Sequence, residues 1–116
     1  MPEPGTQLFS EDIQFSYPAA KALTSWVQES IESELFEPGD INIIFCSDEY
    51  LLEINKKHLN RDYLTDIITF DQSESAKKIE GDLYISIDRV KDNASKLSEN
   101  FQDELDRVII HGILHL

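Results

Sequence analysis

Two histidines near the carboxyl end of the sequence are the residues best suited to bind a metal ion. His111 and His115 stand four positions apart within residues 101–116, which have a helical pattern of apolar residues. Four residues turn an α-helix through about 400°, so both imidazoles project from the same face. Two neutral imidazoles placed in this way can share one zinc ion at about 2.0–2.1 Å. Unpaired imidazoles would be costly to bury in so apolar a segment, which favours metal binding.

The residue directly after the first histidine limits which class of metal protein the pair can belong to. Gly112 occupies the position that holds the general base, a glutamate, in the H-E-x-x-H motif of zinc peptidases. The histidine pair also falls short of a catalytic zinc site, which normally has three protein ligands and one open position. A glycine costs a helix about 1 kcal/mol relative to alanine. Gly112 therefore predicts that another element approaches the helix closely at this position.

The elements that must position this pair alternate between helix and strand. Apolar residues three and four apart predict helices, whereas alternating or β-branched runs predict strands. We predict strands at 6–15, 41–46, 65–70 and 80–87, and helices at 18–35, 48–60, 89–97 and 101–116. The caps of the second, third and fourth helices are predicted to be Ser47, Asp88, and either Ser98 or Asn100, and Pro38-Gly39 is predicted to stop the first helix. The pattern predicts a single α/β (α+β) domain with a mixed sheet of about four strands and about four helices.

Composition limits the function further. The 116 residues carry 23 acidic and 10 basic side chains, a formal net charge of −13. Such a charge argues against non-specific nucleic-acid binding, but a metal ion and a few arginines can still form a local positive site. The sequence has no apolar run that could span a bilayer, and because residues 1–5 lack a basic start followed by an apolar stretch, we expect no signal peptide. Cys46, the single cysteine, lies in an apolar run and is predicted to be a buried thiol, in keeping with the cytoplasm.

Three motifs in this sequence resemble those of one known family. Residues 111–116 (HGILHL) are similar to the opening of the signature H-G-x-L-H-L-x-G-Y-D-H. Residues 64–70 (LTDIITF) resemble a P-T-D-V-L-S-F segment, and residues 81–86 (GDLYIS) resemble a G-D-I-x-I-S strand. The three occur in the order and spacing of the YbeY family of bacterial metal-dependent endoribonucleases, which the chain therefore resembles over residues 41–116.

The resemblance implies an α/β fold that holds one zinc ion with three histidines and cleaves single-stranded RNA. It also implies a role in maturation of the 3′ end of 16S ribosomal RNA and in ribosome quality control. The implied partners are ribosomal RNA, a small-subunit ribosomal protein and a ribosome-associated GTPase, with no membrane. His111 and His115 correspond to the first two ligands. The third falls six places after His115, beyond the last residue of this sequence, so we expect a shortened chain with greatly reduced zinc affinity and activity.

Three further residues in or beside these motifs are candidates for catalytic roles. The family arginine that precedes the P-T-D segment aligns with Leu59, and Arg61 can replace it as a phosphate ligand because guanidinium binds phosphate in a bidentate way. Asp66 can orient a ligand histidine or the attacking water, as can Asp82. The competing interpretations are a surface arginine at a helix end and carboxylates that cap turns. His58 is interpreted as a packing residue and not as a replacement ligand.

Two alternatives from other functional classes remain open. The first is a zinc peptidase, which the absence of glutamate at Gly112 disfavours. The second is a metal-free module that docks on a ribosomal protein or GTPase and performs no chemistry.

Overall fold

The computed structural model describes residues 5–116, which form four strands and four helices. The strands are β1 (Thr6–Ser10), β2 (Glu37–Cys46), β3 (Ile67–Asp71) and β4 (Lys78–Ser86). The helices are α1 (Ala20–Ser33), α2 (Asp48–Leu59), α3 (Ile87–Lys96) and α4 (Phe101–Leu114). No helix within this part of the chain is long and apolar enough to cross a membrane.

The four strands form one mixed sheet in the order β1-β2-β4-β3. β1 and β4 each pair with β2 in parallel, while β3 pairs with β4 in antiparallel. The last strand in this order, β3, is therefore an edge strand. This arrangement confirms the predicted α+β domain with a mixed sheet.

The two faces of the sheet are covered unequally. Side chains alternate between faces along a strand, so the odd-numbered residues of β2 and β4 point to one face and the even-numbered residues to the other. The first face carries the main core together with α1, α3 and α4; this core includes Val27, Phe45, Leu83, Val90, Leu105 and Ile109. A smaller cluster of Cys46, Leu51 and Ile68 lies on the opposite face, against α2. Cys46 is buried, as predicted.

The start of α3 differs from the prediction. Ser86 caps this helix, and its hydroxyl oxygen accepts a hydrogen bond from the Arg89 backbone N–H at 3.1 Å. The predicted cap, Asp88, instead accepts from the backbone N–H of Asp48 at 2.9 Å, at the start of α2. The prediction was wrong because a backbone donor from a distant part of the chain lies beside Asp88.

The end of α1 and the length of β1 also differ from the prediction. α1 ends at Ser33, and Leu35 has a positive φ of 67° immediately afterwards. Pro38 and Gly39 therefore do not end the helix; they lie inside β2, where the pairing with β4 shifts register between Pro38 and Ile41. β1 ends at Ser10, five residues earlier than predicted.

Candidate metal centre

The two histidines lie together on the exposed face of α4. Their Nε2 atoms are 3.1 Å apart and their ring centroids 4.4 Å apart. α4 itself ends at Leu114, but His115 keeps a right-handed helical backbone, with φ −92° and ψ −2°. The helical geometry therefore extends far enough to place both imidazoles on one side, as their spacing predicts.

The distance between the two nitrogens fits a shared metal ion. Two nitrogen ligands of a tetrahedral zinc at about 2.0–2.1 Å lie about 3.3 Å from one another, close to the 3.1 Å between His111 Nε2 and His115 Nε2. The donor chemistry also fits, because neutral imidazole suits zinc. Within residues 5–116, however, no group of three His, Cys, Asp or Glu side chains is arranged to hold a metal. The described residues thus present two nitrogen atoms at a separation that a zinc ion could bridge.

Gly112 brings the histidine-bearing helix against the sheet. A Cβ atom on Gly112 would overlap Ile67 Cδ1 of β3 and would lie 2.8 Å from Leu83 Cδ2 of β4. Gly112 is buried, whereas His111 beside it is exposed. The close approach explains the glycine, and it fixes the histidine pair next to the first strand residue of β3.

A cleft of about 300 Å³ borders the same strand. Its lining residues come from α2, β3 and the intervening loop: Asn55, Leu59, Arg61, Tyr63, Thr65, Ile67, Ile68 and Thr69. Ile67 belongs to this lining and also contacts the helix at Gly112. Ile67 is therefore shared between the lining of the cleft and the surface against which α4 packs.

The loop that carries Arg61 is held in place by a buried amide. Asn55 is almost fully buried, and its Nδ2 donates to the carbonyl oxygen of Tyr63 at 2.8 Å. The backbone N–H of Arg61 donates to the carbonyl oxygen of Asn55 at 3.1 Å, after a left-handed turn at Asn60 with φ 53°. The Arg61 guanidinium has no ion-pair partner within residues 5–116. A fixed backbone thus presents an available cation at the cleft.

Asp66 lies where β3 meets α4. Its carbonyl oxygen accepts a hydrogen bond from Ser86 N–H at 2.9 Å, which extends the pairing of β3 with β4. Its carboxylate accepts no hydrogen bond from other residues in the described part of the chain, so it does not cap a turn there. The hydrogen bond to Glu104 raises the pKa of Arg107, and the charge of Asp66 raises it further. The Asp66 carboxylate therefore lies within electrostatic range of Arg107.

The other two candidate residues lie away from the histidine pair. Asp82 accepts hydrogen bonds from Asn42 Nδ2 at 2.9 Å and Gln72 Nε2 at 3.0 Å. Asp82 precedes Leu83 in β4, so the two side chains point to opposite faces of the sheet. Because Leu83 faces α4, the Asp82 side chain faces away from that helix. His58 packs edge-on against the ring of Phe70, with centroids 6.0 Å apart, in keeping with its interpretation as a packing residue.

An ion pair on α4 is a feature that the sequence reasoning missed. Glu104 is completely buried, and both of its carboxylate oxygens accept from Arg107, at 2.8 Å from Nε and 2.7 Å from Nη2. Arg107 is exposed over 56% of its side chain. It precedes His111 by one helical turn, so Arg107, His111 and His115 form one row at spacings of four. That spacing is the signal from which Arg107 could have been found.

An α+β domain with an exposed imidazole pair and a cleft lined in part by Arg61 has side chains suited to a metal ion and to an anionic substrate. Comparison with known proteins gives a specific family. A sequence profile of the family described as Endoribonuclease YbeY matches residues 8–116. The chain therefore belongs to the Endoribonuclease YbeY family, whose members are named as RNA-cleaving hydrolases.

Individual relatives agree with this assignment. The chain is 50% identical over 108 residues to an endoribonuclease YbeY of Cytophaga hutchinsonii, covering 93% of this chain and 76% of that protein. It is 47% identical over 116 residues to an endoribonuclease YbeY of Amoebophilus asiaticus, covering 100% of this chain and 79% of that protein. The solution structure of TM1509 from Thermotoga maritima is similar, with a TM-score of 0.68 and 29% identity, over 96% of this chain and 71% of that chain.

Proposed function

We propose that this chain is a zinc-dependent endoribonuclease domain that cleaves single-stranded RNA. His111 and His115 supply two zinc ligands, Arg61 binds a phosphate of the substrate in the cleft that it lines, and Asp66 accepts a proton during cleavage. These two histidines are two of the three histidine ligands that the family resemblance implies. The observation that carries this proposal is the separation of 3.1 Å between His111 Nε2 and His115 Nε2 on an exposed helix face.

Each side chain has a role that follows from its chemistry. Arg61 donates two parallel hydrogen bonds to phosphate oxygens, which fixes the phosphodiester in the cleft. The Asp66 carboxylate can take the proton of the attacking hydroxyl because it has no hydrogen-bond donor within residues 5–116. A bound zinc ion supplies Lewis acidity toward phosphate oxygen and makes hydroxide available near neutral pH.

The cellular role that we propose follows from the family resemblance. The substrate is ribosomal RNA in the cytoplasm, and the reaction contributes to maturation of the 16S 3′ end and to ribosome quality control. A small-subunit ribosomal protein and a ribosome-associated GTPase are the proposed protein partners.

A nuclease assay with matched histidine variants tests the proposal. The substrate is a 5′-labelled single-stranded RNA in zinc-containing buffer, and the enzyme is the 116-residue chain alongside one extended past Leu116 by x-Gly-Tyr-Asp-His. We expect the extension to increase zinc affinity and cleavage, since it adds the third histidine of the family signature. His111→Ala and His115→Ala should each abolish cleavage, while His58→Ala, the control, should retain it. Equal cleavage by His111→Ala and His58→Ala would reject the proposed metal site.

Substrate and nucleophile are distinguished in the same experiment. Casein serves as the peptide substrate, and cleavage of casein but not RNA would favour the peptidase alternative. A 2′-deoxy substitution at the cleavage site blocks attack by the RNA's own 2′-hydroxyl but not attack by water. Arg61→Ala should raise KM, whereas Asp66→Asn should mainly lower kcat. The reverse pattern would reject these two assignments.

A further inference from the structure

The Glu104–Arg107 ion pair places a buried carboxylate on α4, and packing of the core does not require a charged residue there. Glu104 is completely buried in the first turn of α4, where an apolar residue would pack at no electrostatic cost. Its carboxylate is satisfied only by Arg107 within the described residues. The same contact holds the guanidinium in a defined position on the outer surface of the helix.

The orientation of this pair places its positive end toward solvent. Glu104 is 0% exposed, whereas 56% of the Arg107 side chain is exposed. The contacts with Glu104 use two of the five guanidinium N–H donors, which leaves three for a ligand outside the protein. A buried carboxylate that fixes an arginine reduces the entropy lost when that arginine binds an anion.

The position of Arg107 on α4 indicates which anionic group of a substrate it could bind. Arg107 stands one turn before His111, in the row that ends at His115, but its guanidinium extends toward Glu104 and so away from the histidines. Asp66 and Glu99 are the acidic groups whose charges also act on Arg107. An RNA strand whose scissile phosphate lies at the histidines would carry a neighbouring phosphate along this row.

We infer that Arg107 is a phosphate-binding residue that positions the RNA strand next to the cleavage site, on the phosphate flanking the bond that is cut. This inference rests on the proposed endoribonuclease function and adds a subsite to it. Arg107 acts on substrate affinity and placement, while the chemical step belongs to the groups around the histidine pair.

RNA binding measured without metal tests this subsite separately from cleavage. The probe is a fluorescein-labelled single-stranded RNA oligomer in buffer with EDTA, and fluorescence anisotropy gives Kd over a series of salt concentrations. Arg107→Ala is compared with Lys21→Ala, which removes one exposed positive charge on α1. We expect Arg107→Ala to weaken binding about three- to tenfold and to reduce the salt slope by about 0.7, the value for one phosphate contact on a single strand. Lys21→Ala should change Kd less than twofold.

Circular dichroism confirms that each variant is folded at the temperature of the assay. If Arg107→Ala is unfolded, Arg107→Lys takes its place, because it keeps the charge but cannot hold both Glu104 oxygens and donate outward in the same geometry. Arg107→Lys should weaken binding with an unchanged salt slope. Affinity of the folded Arg107 variant equal to that of Lys21→Ala would overturn the inference. Failure of the unsubstituted protein to bind the RNA would overturn the proposed function as well.

Discussion

Removing Arg107 should destabilise the protein in a pH-dependent manner. In the intact chain, hydrogen bonds from Arg107 hold the pKa of Glu104 below its usual value. A carboxyl group with a lowered folded-state pKa contributes stability above its unfolded pKa of about 4.3, and this contribution is lost as pH falls through the folded pKa. In Arg107→Ala the buried carboxylate loses two charge-assisted hydrogen bonds, of 2.7 and 2.8 Å. Desolvation then raises the pKa of Glu104, so its charged form is unfavourable at neutral pH.

The expected magnitude follows from the burial of the two partners. Breaking a fully buried ion pair costs about 3–5 kcal/mol of folding free energy. Because Arg107 is partly exposed, we expect Arg107→Ala to cost about 3 kcal/mol at pH 7, the lower end of this range. The cost should fall below about 1.5 kcal/mol at pH 4.5, because protonated Glu104 no longer carries a buried charge.

Urea denaturation followed by circular dichroism at both pH values measures this difference. Lys96→Ala, which removes an exposed partner of Asp92, is the control and should cost about 0.5 kcal/mol. Replacing Glu104 and Arg107 together by leucine should recover most of the lost stability. A cost for Arg107→Ala below about 1 kcal/mol at pH 7, or one that does not change with pH, would refute this account of the ion pair.

Three further predictions concern packing and burial. Gly112→Val should lower the free energy of unfolding in urea by about 2 kcal/mol, because its side chain would overlap Ile67 and Leu83; an increase in stability would contradict the close approach of α4 to the sheet. Ser86→Ala should lower the free energy of unfolding by about 2 kcal/mol, because the buried hydroxyl caps α3 and donates to Asp48 Oδ1 at 2.7 Å. The control Ser95→Ala, at an exposed serine, should lower it by less than about 0.5 kcal/mol. Burial raises the pKa of the Cys46 thiol to about 12, and the negative charges of Asp12 and Asp88 add to this effect. Iodoacetamide at pH 8 should therefore label the thiol only after the protein unfolds. Rapid labelling of the native protein would be inconsistent with this burial.

The helix boundaries that depend on neighbouring residues were predictable. Ser47 caps α2 with its own side chain, which accepts from Tyr50 N–H at 3.2 Å, and Asn100 caps α4 in the same way through Asp103 N–H. Both bonds span three residues, so the sequence contains all the information that they require. The imidazole pair was predictable for the same reason, since its geometry follows from the helical repeat alone.

Features that depend on distant contacts were not predictable in this way. Asp88 has the chemistry of a cap for α3, but its carboxylate binds the N–H of Asp48, forty residues away. An acidic residue in the first turn of a helix, such as Glu104, is normally expected to face solvent. In the structure, however, the surrounding elements bury Glu104 completely. The burial of Glu104, and with it the ion pair that holds Arg107, therefore became visible only when the packing of α4 was known.

Zinc titration followed by long-range ¹H–¹⁵N correlation of the histidine rings is the most direct test of the central claim, that His111 and His115 share one metal ion. We predict that the Nε2 signals of both rings shift together along one binding curve, while those of His58 do not change. Either His111→Ala or His115→Ala should remove the response of the remaining ring, because one imidazole alone does not form the chelate. Shifts at separate zinc concentrations, or a response of His58 equal to that of the pair, would contradict the shared site.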